Sequence, residues 1–169
     1  LRSLVGSEMC IRDRYTTGFE ASEGFKAGTN YQNADPVYQG AEGSQWGVVF
    51  GTSSTTKAIT GSQSMQMRWY TSTPTTLGYA FTNFNIKNAN KVEFQAKYSG
   101  NAINLTVSYS TDNGATWVGA KDFVLKTSAQ SYEYVIGETP VENVRLKFQI
   151  KLTETTPTKR CDLIIDDVT

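Results

Sequence analysis

The strongest constraint in this chain of 169 residues is a two-residue rhythm. In KVEFQAKYS, Val92, Phe94, Ala96 and Tyr98 share one side while Glu93, Gln95 and Lys97 share the other. INLTVSYS repeats the pattern with Ile103, Leu105, Val107 and Tyr109 against Asn104, Thr106 and Ser108. VRLKFQIKL does so again, with Leu146, Phe148, Ile150 and Leu152 opposite Lys147, Gln149 and Lys151. Alternation of this kind is the mark of a strand with one face on a core. SMQMRWY places Met65, Met67 and Trp69 on one face, and shorter candidate strands lie at YTTGFE, WGVVFG, LGYAF, VGAKDFVL, SYEYVI and DLIIDDV. Turn-forming clusters (NADP, GTSS, TSTPTT, YSGN, ETTPTK) separate them, and no segment carries a 3.6-residue apolar stripe. About nine short strands at this spacing predict an all-β fold, a two-sheet antiparallel β-sandwich.

The length suits one domain, and residues 15–169 carry the strand pattern. The opening LRSLVGSEMCIRDR has neither an amphipathic turn nor a secretory core. It resembles translated sequencing-adapter read-through, so residues 1–14 are read as a non-native or disordered leader; the alternative is an ordinary tail forming a short helical arm. The chain starts without methionine and stops at Thr169, within a strand on this reading, and is read as a piece of a longer protein.

Composition removes several function classes. Sixteen Lys and Arg balance sixteen Asp and Glu, so nothing steers the chain toward phosphates or anionic lipid, and nucleic acid is not an expected partner. Histidine is absent, which excludes Ser-His-Asp and Cys-His catalysis and imidazole zinc sites. Carboxylate-only chemistry, as in glycoside hydrolysis, survives that filter. The acids are scattered, however, and no motif picks out a facing pair. Cys10 and Cys161 match neither a metal-ligand spacing nor a disulfide framework; two free thiols or one bridge between the chain ends both remain open. No run of residues is long and apolar enough for a membrane span.

STDNGATW, residues 110–117, has the spacing of the Asp-box found repeatedly in sialidase propellers. A propeller needs several blades and a recurring box, and here the box occurs once. The expected structure is a hairpin in which Asp112, Asn113 and Gly114 supply the turn and Trp117 folds over it.

Two other constellations bear on ligands. TGFE and LIIDDV place Glu20, Asp166 and Asp167 near the two ends, where acids from both termini could clamp a calcium ion or simply be solvated and capped by backbone donors. Adjacent strand residues point to opposite faces, so only a bulge lets Asp166 and Asp167 turn the same way. Sugar binding needs aromatic faces with polar neighbours. Trp69 shares parity with Met65 and Met67 and is expected in the core. Arg68 and Tyr70 have the opposite parity; Trp46 follows the loop AEGSQ and Tyr79 follows TSTPTTLG, positions suited to a rim. Arg68, Tyr70, Trp46 and Tyr79 are the candidate ligand-binding group, with core packing or scattered exposure as the alternative for each.

The succession GFE, GSQWGVVFG, GSQSMQMRWY, KVEFQAKYS, VSYSTDNGATW, VRLKFQIKL and LIIDDV resembles jelly-roll modules of secreted Bacteroidetes proteins. Its start and finish are similar to those of carbohydrate-binding modules of the family 4/9/22 type and of MAM-like domains. The resemblance covers residues 15–169 and implies a jelly-roll β-sandwich with a structural calcium held by Glu20 and Asp166 or Asp167. It also implies a non-catalytic accessory module of a secreted or bacterial cell-surface protein, binding glycan and attached to neighbouring domains. The rival expectations are a structural or adhesive spacer and, behind it, a small glycoside hydrolase.

Overall fold

The computed structural model describes residues 14–72, 75–153 and 157–169. The leader expectation, apart from Arg14, and the thiol of Cys10 lie outside the described residues. Twelve strands occur among those described: β1 (Val37–Gln39), β2 (Trp46–Val49), β3 (Gly51–Ser54), β4 (Ser64–Trp69), β5 (Tyr79–Thr82), β6 (Ile86–Ala89), β7 (Lys91–Gly100), β8 (Ile103–Ser110), β9 (Val118–Val124), β10 (Gln130–Val135), β11 (Val141–Leu152) and β12 (Cys161–Asp166). They form a jelly-roll sandwich of two antiparallel sheets. The first runs β1-β2-β5-β11-β8-β9, with β6 also paired to β11, and the second runs β10-β7-β12-β4-β3.

The alternating residues build the space between the sheets. Phe94 and Ala96 of β7, Leu105 and Val107 of β8, Leu146, Phe148 and Ile150 of β11, and Met65, Met67 and Trp69 of β4 are all buried there. Each large side chain so enclosed contributes roughly 1.5–3 kcal/mol, which is why the two-residue rhythm survives into the fold. The aromatic rings interlock edge to face: Phe94 meets Phe148 at 5.2 Å and Phe123 at 5.5 Å between centroids.

Four expectations are corrected. GTSS, read as a turn cluster, is strand β3 and pairs with β4. YTTGFE is not a strand: Thr17 makes a single bridge with Val168, Phe19 turns at φ 57°, and a 3-10 turn follows at Ala21–Glu23. WGVVFG is two strands in different sheets. Phe50, at φ 49°, carries the chain from one to the other, held by its N–H on the Asn33 carbonyl at 2.9 Å and its own carbonyl on the Arg68 N–H at 2.7 Å. Left-handed backbone on a phenylalanine costs about 1 kcal/mol or more, offset by these bonds and by burial of its ring. Trp46, expected at an exposed rim, is fully buried. Its inward parity with Val48 seats it between Phe19 and Phe148, and its indole N–H donates to the Tyr15 hydroxyl at 2.8 Å.

Candidate glycan-binding face

The outward residues of the seven-stranded sheet line up across the strands. Tyr38 on β1 is opposite Gly47 on β2, Gly47 opposite Phe81 on β5, Phe81 opposite Lys147 on β11, and Lys147 opposite Ser108 on β8. The next row runs Tyr79, Gln149, Thr106 and Asp122. Inward neighbours Ala80, Leu146 and Phe148 fill the core, so parity sends these side chains outward.

Four rings meet on this face. Phe81 lies 6.1 Å from Tyr79, 6.4 Å from Tyr38 and 6.3 Å from Trp117, centroid to centroid. Gly47 makes the strip possible: a Cβ there would stand 2.3 Å from the Phe81 ring, so the missing side chain lets the ring lie down on β2. Tyr38 is 49% exposed, and Tyr79, Phe81 and Trp117 are half-buried. The ammonium of Lys147 sits 5.0 Å from the Trp117 ring and 5.8 Å from the Tyr79 ring. Partial burial draws the Lys147 pKa below the ordinary lysine value; burial, with the Tyr38 hydroxyl adding to it, raises that of Tyr79.

STDNGATW forms the expected hairpin and places Trp117. The Ser110 hydroxyl accepts the Gly114 N–H at 2.8 Å, and Asp112 accepts the Thr116 N–H at 2.9 Å while Asn113 and Gly114 take left-handed backbone. Hydrogen bonds from Ser110 and Thr116 pull the Asp112 pKa down to about 2. Trp117 folds back over Gly114 and reaches across to Phe81. Around this end lies a polar rim: Arg145 donates to Asn85 at 3.0 Å and Asn83 at 3.2 Å, and Asn85 donates to Asn113 at 2.8 Å. At the other end Asp122 takes hydrogen bonds from Lys151 and Thr106, which lower its pKa in that order.

The four candidate residues do not form one site. Tyr79 belongs to the strip. Trp46 is in the core. Arg68 and Tyr70 belong to β4 and the residue after it, on the other sheet, joined at 3.4 Å. The Arg68 guanidinium carbon lies over Tyr31, 3.3 Å from the ring centroid, and the group pairs with buried Asp162 at 2.9 Å. Phe81, Tyr38, Trp117 and Lys147 complete the face and are not among the sequence candidates. Phe81 shares parity with Tyr79 two residues away, a signal present in LGYAF. The approach of Tyr38 had no such signal, because it depends on strand order.

The acids near the two ends do converge. Asp167, at φ 46°, supplies the irregularity that lets both neighbouring aspartates turn toward Thr60: its hydroxyl lies 2.9 Å from Asp166 Oδ2 and 3.1 Å from Asp167. Asp166 also accepts the Thr60 N–H and the Ser64 hydroxyl, and burial raises its pKa against these bonds. Glu20, which starts the 3-10 turn, accepts the Ser62 N–H at 2.8 Å. Among the described residues no three acidic, cysteine or histidine side chains stand at a spacing that holds a metal ion. As folded, these oxygens accept hydrogen bonds from N–H and O–H donors.

No protein-family model matches the sequence, and no curated protein matches it. Solved structures share its fold. TmCBM61, solved with β-1,4-galactotriose, superposes with a TM-score of 0.50 at 10% identity, covering 89% of this chain and 95% of that one. A family 29 carbohydrate-binding module complexed with cellulohexaose gives 0.51 at 12%, over 80% and 91%. The Endo-D glycoside hydrolase domain of Streptococcus pneumoniae R6 gives 0.50 at 13%, over 92% of this chain but 27% of that one.

Proposed function

We propose that this chain is a non-catalytic module that binds polysaccharide along the outer face of its seven-stranded sheet. The observation that carries the reading is the strip Tyr38, Phe81, Tyr79 and Trp117, accessible and bordered by Lys147, Gln149, Arg145 and the asparagines. Pyranose rings stack on such surfaces while their hydroxyls take the polar rim. Two modules of the same fold, solved with galactotriose and cellulohexaose, support it. Hydrolysis would need two carboxylates about 5–10 Å apart across the sugar. On this face Asp122 is engaged by Lys151 and Thr106, and Asp112 closes its own hairpin.

With this reading go a secreted or bacterial cell-surface location and a place beside other domains of a larger protein. We further propose that Glu20, Asp166 and Asp167 close the fold through hydrogen bonds, with no calcium required.

The binding reading is tested by electrophoresis through gels containing polysaccharides. The wild type is retarded, Phe81→Ala and Trp117→Ala lose retardation while still melting cooperatively, and Tyr70→Ala keeps it. No retardation on any polysaccharide, or loss with Tyr70→Ala alone, would overturn it. An adhesive or spacer role is the second reading, favoured by Val118, Val124 and Val135, which stand 46%, 76% and 53% exposed on the end strands β9 and β10. Retention of a protein partner, lost on Val124→Lys, would support that role.

A further inference from the structure

We infer that the polysaccharide taken by this face is acidic, a chain carrying uronate carboxylates, read by Lys147 with Arg145 beside it. This deepens the glycan-binding reading and rests on it.

The argument begins with where cations find partners. Lys and Arg equal Asp and Glu over the whole chain, and among the described residues five cations form ion pairs: Lys91 with Glu93 and Glu133, Arg14 with Glu93, Arg68 and Arg160 with Asp162, Lys151 with Asp122. Other described lysines also lack an ion pair, among them Lys57 and Lys97 at the other sheet, which donate to Ser99 and the Ala58 carbonyl. What distinguishes Lys147 and Arg145 is their place beside the aromatic strip. Among the described residues neither forms an ion pair, although both are half-buried and lie two positions apart on the outward side of β11. Arg145 is held instead by the neutral side-chain carbonyls of Asn83 and Asn85, which fix its direction and leave its charge whole. Lys147 has aromatic faces for neighbours, 5.0 Å from Trp117 and 5.8 Å from Tyr79. The acids nearby are engaged elsewhere: Asp122 by Lys151 and Thr106, and Asp112 by Ser110 and Thr116. The middle of the face therefore carries uncompensated positive charge inside an aromatic frame.

A partly desolvated ammonium without a counter-ion is unfavourable, and partial burial already lowers the pKa of Lys147. A neutral sugar would bury it further and return no charge. An anionic sugar would supply the missing partner where water is displaced and the interaction is strong. Geometry favours a uronate. Its carboxylate is bonded directly to the ring carbon, so a pyranose stacked on Phe81 or Trp117 presents it at the ring edge, and the Lys147 ammonium stands 5.0 Å from the Trp117 ring. A sulfate ester carries its charge one oxygen further from the ring.

The test uses the same chain on four ligands: polygalacturonate, its fully methyl-esterified form, neutral β-1,4-galactan and sulfated dextran. Expected is binding to polygalacturonate that weakens about tenfold on methyl-esterification or on Lys147→Met, as for loss of one well-placed charge pair. It also weakens as salt rises from about 0.05 to 0.5 M. Arg145→Gln gives a smaller loss in the same direction, and methyl-esterification tests the charge without altering the protein. Equal or tighter binding to the esterified or neutral chain overturns the inference and leaves the glycan reading standing. Preference for sulfated dextran overturns the choice of uronate. Binding to none of the four or to any other polysaccharide overturns both.

Discussion

The outer faces of the two sheets are built from the same alternation and end in opposite states. On the five-stranded sheet, Ser64, Gln66, Asp162, Ile164 and Asp166 point away from the core and are still buried. The loop between β3 and β4 lies over them: Lys97 donates to the Ala58 carbonyl at 3.2 Å, Lys57 to Ser99 at 2.9 Å, and Thr60 to Asp166. Tyr31 covers Arg68. On the seven-stranded sheet the corresponding positions, Tyr79, Phe81, Lys147 and Gln149, stay half-exposed. One face has spent its polar groups on holding loops down; the other keeps aromatic surface in reach of solvent. Covering has a cost, since the fully buried Gln66 amide has no hydrogen-bond partner among the described residues, a loss of about 1–3 kcal/mol. The lesson is that outward parity alone does not make a binding surface.

This contrast can be broken by substitution. Arg68→Ala is expected to have the largest effect on stability, about 3 kcal/mol, because it strips one partner from buried Asp162 and leaves Arg160 at 3.1 Å to hold the charge. Denaturant titration checks this, and polysaccharide retention should be unchanged at temperatures where the variant is folded. Retention lost with stability intact would move the binding face to the five-stranded sheet. Gly47→Ala comes next. Its new Cβ collides with the Phe81 ring, which must lift off β2, so stability falls by about 1–3 kcal/mol and retention weakens together. A variant with unaltered retention would show that the ring's flat seating is irrelevant to the ligand. The smallest effect, none, is expected on adding a chelator: the thermal melting midpoint stays where it was, because the Thr60, Ser64 and Ser62 donors already satisfy Asp166, Asp167 and Glu20. A fall of several degrees, reversed by calcium, would restore the ion that the resemblance implies.

Much of the fold was legible in particular strings. KVEFQAKYS, INLTVSYS and VRLKFQIKL became β7, β8 and β11 with the predicted sides inward, because period two is a local property that any sheet preserves. Trp69 went to the core on the same argument. STDNGATW became a hairpin because its hydrogen bonds close within seven residues. The site was less legible. Tyr79 lies where its preceding loop suggests, but the glycine-rich loop before Trp46 suggests a rim while its parity with Val48 carries the better signal. Arg68 and Tyr70 had the right parity on a sheet whose outer face is roofed by distant residues, Tyr31 and the β3–β4 loop, and nothing near them in sequence announces that roof.

The sequence by itself determined the long alternating strands β7, β8 and β11, which of their sides is oily, the Ser110–Trp117 hairpin and the absence of imidazole chemistry. All of these depend on neighbours a few residues apart. Only the tertiary structure decided which outward face would stay accessible and which rings would meet there. Tyr38, Phe81 and Trp117 come from three separate segments, and their meeting requires β1, β2, β5, β11 and β8 to lie side by side. That order is set by how the whole chain encloses its core, a global condition that no single stretch encodes.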